Sequence, residues 1–359
     1  MSDTTALTDR DAVAPSHDDL VARMTGDMVR AVEPFAGSAR LRPDGRPRTE
    51  FRRELRRIAN LRSALTVAWL LALPVLVVAG VAAAAGAVAD AVGSAALRGA
   101  VVVAVFAAGA LVMGAVQLRM FVLHHEAAHR LLFSRRRLND FVGITVLGWV
   151  AFGAGRHTYR RVHTRHHRDE FGPDEPDFLL YSFYPITRRS LARKLARDAG
   201  GVSAWRVLRP LLVGIAKPGR RSTSVRFYCG QLFVFTLFLA AGRPWLFPLL
   251  WVLPYVVVYQ VLNRLRAVAE HGGMTRSPDR RATTHHVRQH WLTNRWLTPY
   301  CVGHHLAHHV DSGVPFRNLP KLTRALTEDG YITVDTTWNG YPQLWRAISS
   351  RATAAAAAG

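Results

Sequence analysis

Lysine and cysteine are nearly missing from this 359-residue chain, and acidic residues are scarce. The only lysines are Lys194, Lys217 and Lys321, so 44 of the 47 basic residues are arginine. Against them stand 25 acids, which leaves a formal charge of +22 and calls for an anionic counterpart. The arginines crowd against apolar runs, which points to an anionic membrane face or an acidic protein and away from nucleic acid. The two cysteines, Cys229 and Cys301, form no CxxC pair. Neither a disulfide framework nor a cysteine zinc site can be built from them.

Charge is missing altogether from four long stretches. Residues 64–89 give 26 uncharged positions and residues 99–118 a further 20, and about 20 apolar residues cross the hydrocarbon layer as a helix. Residues 90–98 suffice only for a turn. Residues 227–242 and 244–263 supply 16 and 20 more, broken at Gly242, Arg243 and Pro244. The expected fold is all-α: a multi-pass membrane protein with four transmembrane helices in two hairpins. Arg52, Arg53, Arg56 and Arg57 precede the first span, and Arg135, Arg136 and Arg137 follow the second. Arg220, Arg221 and Arg226 precede the third, and Arg264 and Arg266 follow the fourth. Arginine marks cytoplasmic flanks, so both termini are expected on the cytoplasmic side. Residues 141–155 are apolar but too short to span, which predicts an interfacial or re-entrant helix.

Residues 1–50 are polar, with acids and prolines and no apolar stretch, and read as a disordered cytoplasmic tail rather than a secretory signal. Residues 51–348 read as one membrane domain. Residues 349–359 run into alanines and read as a low-complexity tail.

The chemistry concentrates in histidine. Of 16 histidines only His17 precedes residue 120. His125 and His129 are four apart, so on a helix they share a face and can bind one metal. His163 reaches His166 at i+3 and His167 at i+4, and both can join one cluster of ligands. The same HxxHH spacing recurs in His305, His308 and His309. His271 stands alone just past the fourth span. Nine imidazoles are more than one ion can use, which implies two metals, and an imidazole set without cysteine suits iron, zinc, copper or nickel. His124, His157 and His304 lie beside these clusters and read as surface residues or supporting donors.

Two rival readings use the same residues. His125, Glu126 and His129 spell HExxH, in which two histidines bind zinc and the glutamate is the general base of a metalloprotease. That reading leaves both HxxHH clusters and His271 without a purpose. A metal transporter needs polar ligands inside its spans, and the four uncharged stretches hold no Asp, Glu or His.

The order HxxxH, HxxHH, a lone histidine, then HxxHH on a four-span basic chain resembles the integral-membrane fatty acid desaturases and hydroxylases, over residues 62–326. Asp174, Glu175, Pro176 and Asp177 are similar to the acidic stretch that follows the second box in that family. Residues 313–320 are similar to its continuation after the third. The resemblance implies a cytoplasmic helical cap that holds two iron ions as a non-haem di-iron centre. Its ligands would be His125, His129, His163, His166, His167, His271, His305, His308 and His309. It implies an oxidoreductase that uses O2 to place a double bond in the acyl chain of a lipid substrate, with hydroxylation of a lipid or carotenoid as the alternative outcome. Some desaturases carry an asparagine four residues before the lone histidine; here that position is Ala267, and Asn263 and Asn294 are candidate substitutes. No HPGG motif marks a fused cytochrome b5 domain. Electrons are therefore expected from a separate, ferredoxin-like donor that docks on Arg135, Arg136, Arg137, Arg160 and Arg161.

Overall fold

The computed structural model describes residues 16–22, 24, 26–153 and 158–351. Among them, four helical segments are long and apolar enough to cross a membrane. Sheet is almost absent: one parallel pair joins His286–Val287 to Thr337–Trp338. The chain is therefore an all-α, multi-pass membrane protein.

A short helix α1 (Thr49–Leu55) leads into α2 (Asn60–Ala91). Ser94 then starts α3 (Ala95–Ala128), its hydroxyl accepting from the Leu97 N–H as N-cap serines do. Both long helices are runs of alanine, valine and leucine, and a helix keeps every backbone hydrogen bond inside the segment, which hydrocarbon requires. Two glycines of α3 draw its neighbours close. A Cβ on Gly109 would meet Val81 Cγ2 at 2.4 Å, and one on Gly114 would meet Val258 Cγ1 at 2.4 Å. Small residues at such crossings let helix backbones touch, so α3 is held between the first span and the fourth.

Helix α4 (Thr158–Arg168) follows, then α5 (Pro218–Ala240), the third apolar segment. The fourth, Pro248–His271, opens with two wide π-type turns at Pro248–Val252 and Tyr255–Tyr259 before settling into α6 (Gln260–His271). Pro254 lies between those turns; it lacks an N–H and its ring crowds the preceding turn, which opens the helix there. Helix α7 (His305–Val310) carries the last histidines. The apolar stretch after α3 is helical over Asp140–Leu147 and Gly148–Val150, with Ile144 and Leu147 buried. Residues 154–157, His157 among them, lie outside the described residues.

Part of the segment expected to be a disordered tail is folded. Leu41 is completely buried and Met28 nearly so, Phe35 meets Tyr331 edge-on with ring centroids 5.4 Å apart, and Arg40 pairs with Glu328 at 2.9 Å and with Asp329. The apolar residues of this stretch are too widely spaced to form a run, yet each finds its own place in the body. The low-complexity end, residues 352–359, lies outside the described residues.

Candidate metal centre

Four helices deliver the histidines. Helix α3 runs past its apolar stretch, so its last turn carries His124 and His125, and His129 follows as its C-cap. Helix α4 supplies His163, His166 and His167, α6 ends at His271, and α7 supplies His305, His308 and His309. The residues between them explain why these faces point inward. Ala127, Leu306 and Ala307 are buried in the apolar core, and a helix packed on one side presents its histidines on the other.

The nine imidazoles converge in two groups. His125, His129, His163, His167 and His308 form one, and His166, His271, His305 and His309 the other; within each, one nitrogen from every residue lies within 4.8 Å of the rest. The HxxHH clusters thus divide between groups. His163 and His167, a full turn apart, stay together while His166 turns to the other side; His308 likewise leaves His305 and His309. The expectation that both partners of His163 join it is corrected to one: His166 at i+3 and His167 at i+4 lie to opposite sides of His163, roughly 60° and 40° around the helix, so the box straddles the two groups.

In the first group Nε2 atoms face Nε2 atoms: His129 to His163 at 2.8 Å, His163 to His167 at 3.0 Å, and His167 to His308 at 3.1 Å. In the second group His305 lies 3.1 Å from His271 and 3.0 Å from His309. Neighbouring nitrogens about 2.1 Å from one shared ion stand roughly 3 Å apart. Imidazoles in one another's company cannot satisfy so many convergent lone pairs by hydrogen bonding alone, so this donor set fits two cations.

Burial and neighbouring imidazoles hold the histidines in the form that metals bind. His129 is pushed down to about 3, first by burial and then by His166. Burial likewise holds His163, His167, His305, His308 and His309 well below their ordinary range. His166 is the exception: burial pulls it down, but its contact with Glu175 outweighs that and raises it.

The second group is backed by acceptors. His166 Nδ1 lies 3.0 Å from Glu175, His271 Nδ1 lies 2.9 Å from the Thr283 carbonyl, and His309 Nδ1 contacts Glu170. His305 Nδ1 lies 3.3 Å from Glu270 Oε1, at an angle that gives an electrostatic contact and not a hydrogen bond. A ring that gives its Nδ1 proton to an acceptor keeps the Nε2 lone pair free for a metal. Among the described residues no carboxylate makes a hydrogen bond or ion pair with the five-histidine group; Glu170, bound to His309, also lies within 4.8 Å of His167. Glu170 and Glu270 were not singled out from sequence; the available signal was that these scarce acids fall beside His167 and His271.

Glu126 Oε1 accepts from the Phe316 N–H at 3.0 Å and belongs to neither histidine group. It ties the segment after the third box to α3, which is not the placement of a protease base. His124 Nδ1 meets the Gly143 carbonyl at 2.8 Å, and His304 Nδ1 meets Thr323 Oγ1 at 2.9 Å; both are held by protein partners. Ala267 is buried, Asn263 Oδ1 faces Arg266 at 3.4 Å, and Asn294 Oδ1 accepts from Thr298 at 3.3 Å. Arg160 departs from its expected docking role. Its guanidinium donates to the Ala127 and Ala128 carbonyls at 2.9 Å and pairs with Asp140, so it closes the end of α3 while Arg161 stays exposed.

Comparison with known proteins agrees with this geometry. A "Dihydrorhizobitoxine desaturase" from Bradyrhizobium elkanii is 27% identical over 249 residues, covering 64% of this chain and 70% of that protein. The model of the fatty acid desaturase family matches residues 100–338, more than half of the chain and a span that contains all nine converging histidines. The protein is a membrane oxidoreductase that belongs to the fatty acid desaturase family.

Proposed function

We propose that the protein is an O2-dependent desaturase that places a double bond in the acyl chain of a lipid substrate, with His125, His129, His163, His167 and His308 holding one iron and His166, His271, His305 and His309 the other. The observation that carries the reading is the division of nine convergent imidazoles into a set of five and a set of four. When bound, such an iron pair supplies the activation of dioxygen and the removal of hydrogen from an unactivated methylene, which no side-chain base could deprotonate. In balance, the substrate gives up two hydrogens, a donor gives two electrons, solvent gives two protons, and dioxygen leaves as two waters.

The chain's own part is placement. Glu175, Glu170 and the Thr283 carbonyl fix His166, His309 and His271 as Nδ1–H tautomers, with Glu270 beside His305, so that the Nε2 atoms stay aimed inward. Burial keeps the rings other than His166 neutral. Four apolar helices place the cluster at a bilayer, where an acyl chain reaches it without crossing water. Electrons come from a separate ferredoxin-like protein, for which exposed Arg135, Arg136 and Arg137 offer a complementary surface. By the arginine flanks, the centre and both termini face the cytoplasm.

The test is product analysis. The full chain in lipid nanodiscs, supplied with ferredoxin, ferredoxin reductase, NADPH and oxygen, is expected to yield acyl chains lighter by two hydrogens. Chains heavier by one oxygen would make it a hydroxylase; iron-loaded protein that leaves lipids unchanged would overturn the lipid substrate.

A further inference from the structure

A cavity of about 410 Å³ opens beside the histidines. On one side it is lined by His129, His167 and His309, which come from both metal-binding groups. Of the nine converging histidines, His129 and His167 are the two that are not fully buried, and both face this space. The lining also holds four guanidinium groups: Arg46, Arg52 and Arg56, and Arg280, which stands with the histidines and donates to the His167 carbonyl at 3.2 Å.

Among the described residues, three carboxylates stand behind these four cations. Asp311 holds Arg52 at 2.6 Å and lies 3.6 Å from Arg56. Glu170 lies 2.5 Å from Arg280, and Asp44 lies 3.9 Å from Arg46. An excess of positive charge remains, and the donors outnumber their acceptors. Among the described residues Arg56 makes no side-chain hydrogen bond, although its side chain is only 45% exposed. It lies flat on Gly313: a Cβ there would fall 1.8 Å from Arg56 Nη2, so the missing side chain is what lets the guanidinium reach into the cavity mouth.

Among the described residues Val310 is the only large apolar side chain in the lining, so these walls suit no hydrocarbon. A guanidinium fork with spare N–H groups suits carboxylate or phosphate. Arg56 precedes the start of α2 at Asn60 by four residues, which places the mouth at the water-facing end of the first span. Both a lipid headgroup and a water-soluble anion can reach that depth.

From this arrangement we infer that the cavity is an anion-binding vestibule, in which Arg46, Arg56 and Arg280 hold the carboxylate or phosphate of the substrate next to the edge formed by His129, His167 and His309. The inference rests on the reading of the two histidine groups as the reaction centre and adds the chemical class of what it acts on. The substrate carries an anionic group and enters that group first from the polar side, with the part to be oxidised following the histidine edge.

The test is calorimetric titration of inorganic phosphate into the full iron-loaded chain in phosphatidylcholine nanodiscs at constant ionic strength, with iron content measured on the same sample. One saturable site is expected, weakened about tenfold or more in Arg56→Gln, as befits the loss of a charge-assisted hydrogen bond. Gly313→Ala keeps every charge and should weaken phosphate similarly by displacing the flexible end of Arg56. Unchanged phosphate affinity in both variants, with iron intact, overturns the vestibule and leaves the reaction centre standing. Absence of iron overturns the reaction centre and the vestibule with it. Nanodiscs of phosphatidylglycerol separate the sources: suppressed phosphate binding there assigns the site to a lipid headgroup, and equal binding in both lipids assigns it to a soluble anion.

Discussion

Glu170 joins His309 to Arg280: one carboxylate oxygen contacts the imidazole Nδ1 and also lies 2.5 Å from the guanidinium. The chain thus uses one of its few acids to aim a histidine of the four-membered group and to anchor a lining arginine. With Glu175 on His166 and Glu270 beside His305, this group has carboxylates around it where the five-membered group has none paired among the described residues. Two cations in these groups would experience different fields.

That difference predicts unequal loss of metal. In Glu170→Gln the His309 ring keeps an acceptor of similar shape but loses the charge behind it, and such outer partners carry roughly 10–100-fold in metal affinity. During dialysis against a chelator the variant should lose one iron per chain well before the other. Simultaneous loss of both would contradict the asymmetry.

Glu126 is expected to matter to stability and not to metal. Its buried carboxylate accepts the Phe316 N–H, so Glu126→Ala should lower stability by about 1–3 kcal/mol, the cost of stranding a buried partner, with metal stoichiometry unchanged. Thermal unfolding and metal analysis of the same preparation read both. Complete loss of metal would return weight to the HExxH reading.

Gly114 should be intolerant of size. The variant Gly114→Val places side-chain atoms where Val258 already sits, and overpacking of this kind costs about 1–3 kcal/mol. Since α3 carries His125 and the fourth apolar segment ends at His271, the same variant should weaken iron retention. A thermal midpoint equal to that of the unaltered chain would contradict the contact.

The metal-free protein should lose stability on acidification. His129 is held near 3 by burial against an ordinary value of 6.5, and five other histidines are held low. Between those values the unfolded chain binds more protons than the folded one, so stability is full above about pH 6.5 and falls as pH drops toward 3. His166, raised by Glu175, works in the opposite sense and loses its contribution as pH rises through its elevated value. Detergent-solubilised, metal-stripped protein should therefore unfold at a lower temperature at pH 5 than at pH 7.5; an equal or higher midpoint at pH 5 would contradict the burial of neutral rings.

The sequence disclosed the four apolar segments and all nine converging histidines, because both signals are local: a run without charge, and a spacing of three or four on a helix. Where the expectations failed, the deciding contacts were distant in the chain. His163 and His166 part company because His129 and His308 complete one group while His271 and His309 complete the other. Glu170 meets His309 across 139 positions, beyond any spacing rule. Arg160 looked like a free basic residue until α4 laid it against the carbonyls of Ala127 and Ala128. Leu41, surrounded by arginines and prolines, gave no periodic signal and is nevertheless completely buried. The arginine cavity depends on Gly313 and Arg56 meeting across the fold, which no linear pattern carries.

The most direct measurement is the metal content of the purified full chain, by elemental analysis with Mössbauer spectroscopy on protein grown with iron-57. The account predicts two non-haem irons per chain in unlike environments, with His308→Ala removing the iron of the five-membered group and His166→Ala that of the four-membered group. A single tightly held zinc with no iron, or two irons that respond identically to both variants, would contradict it.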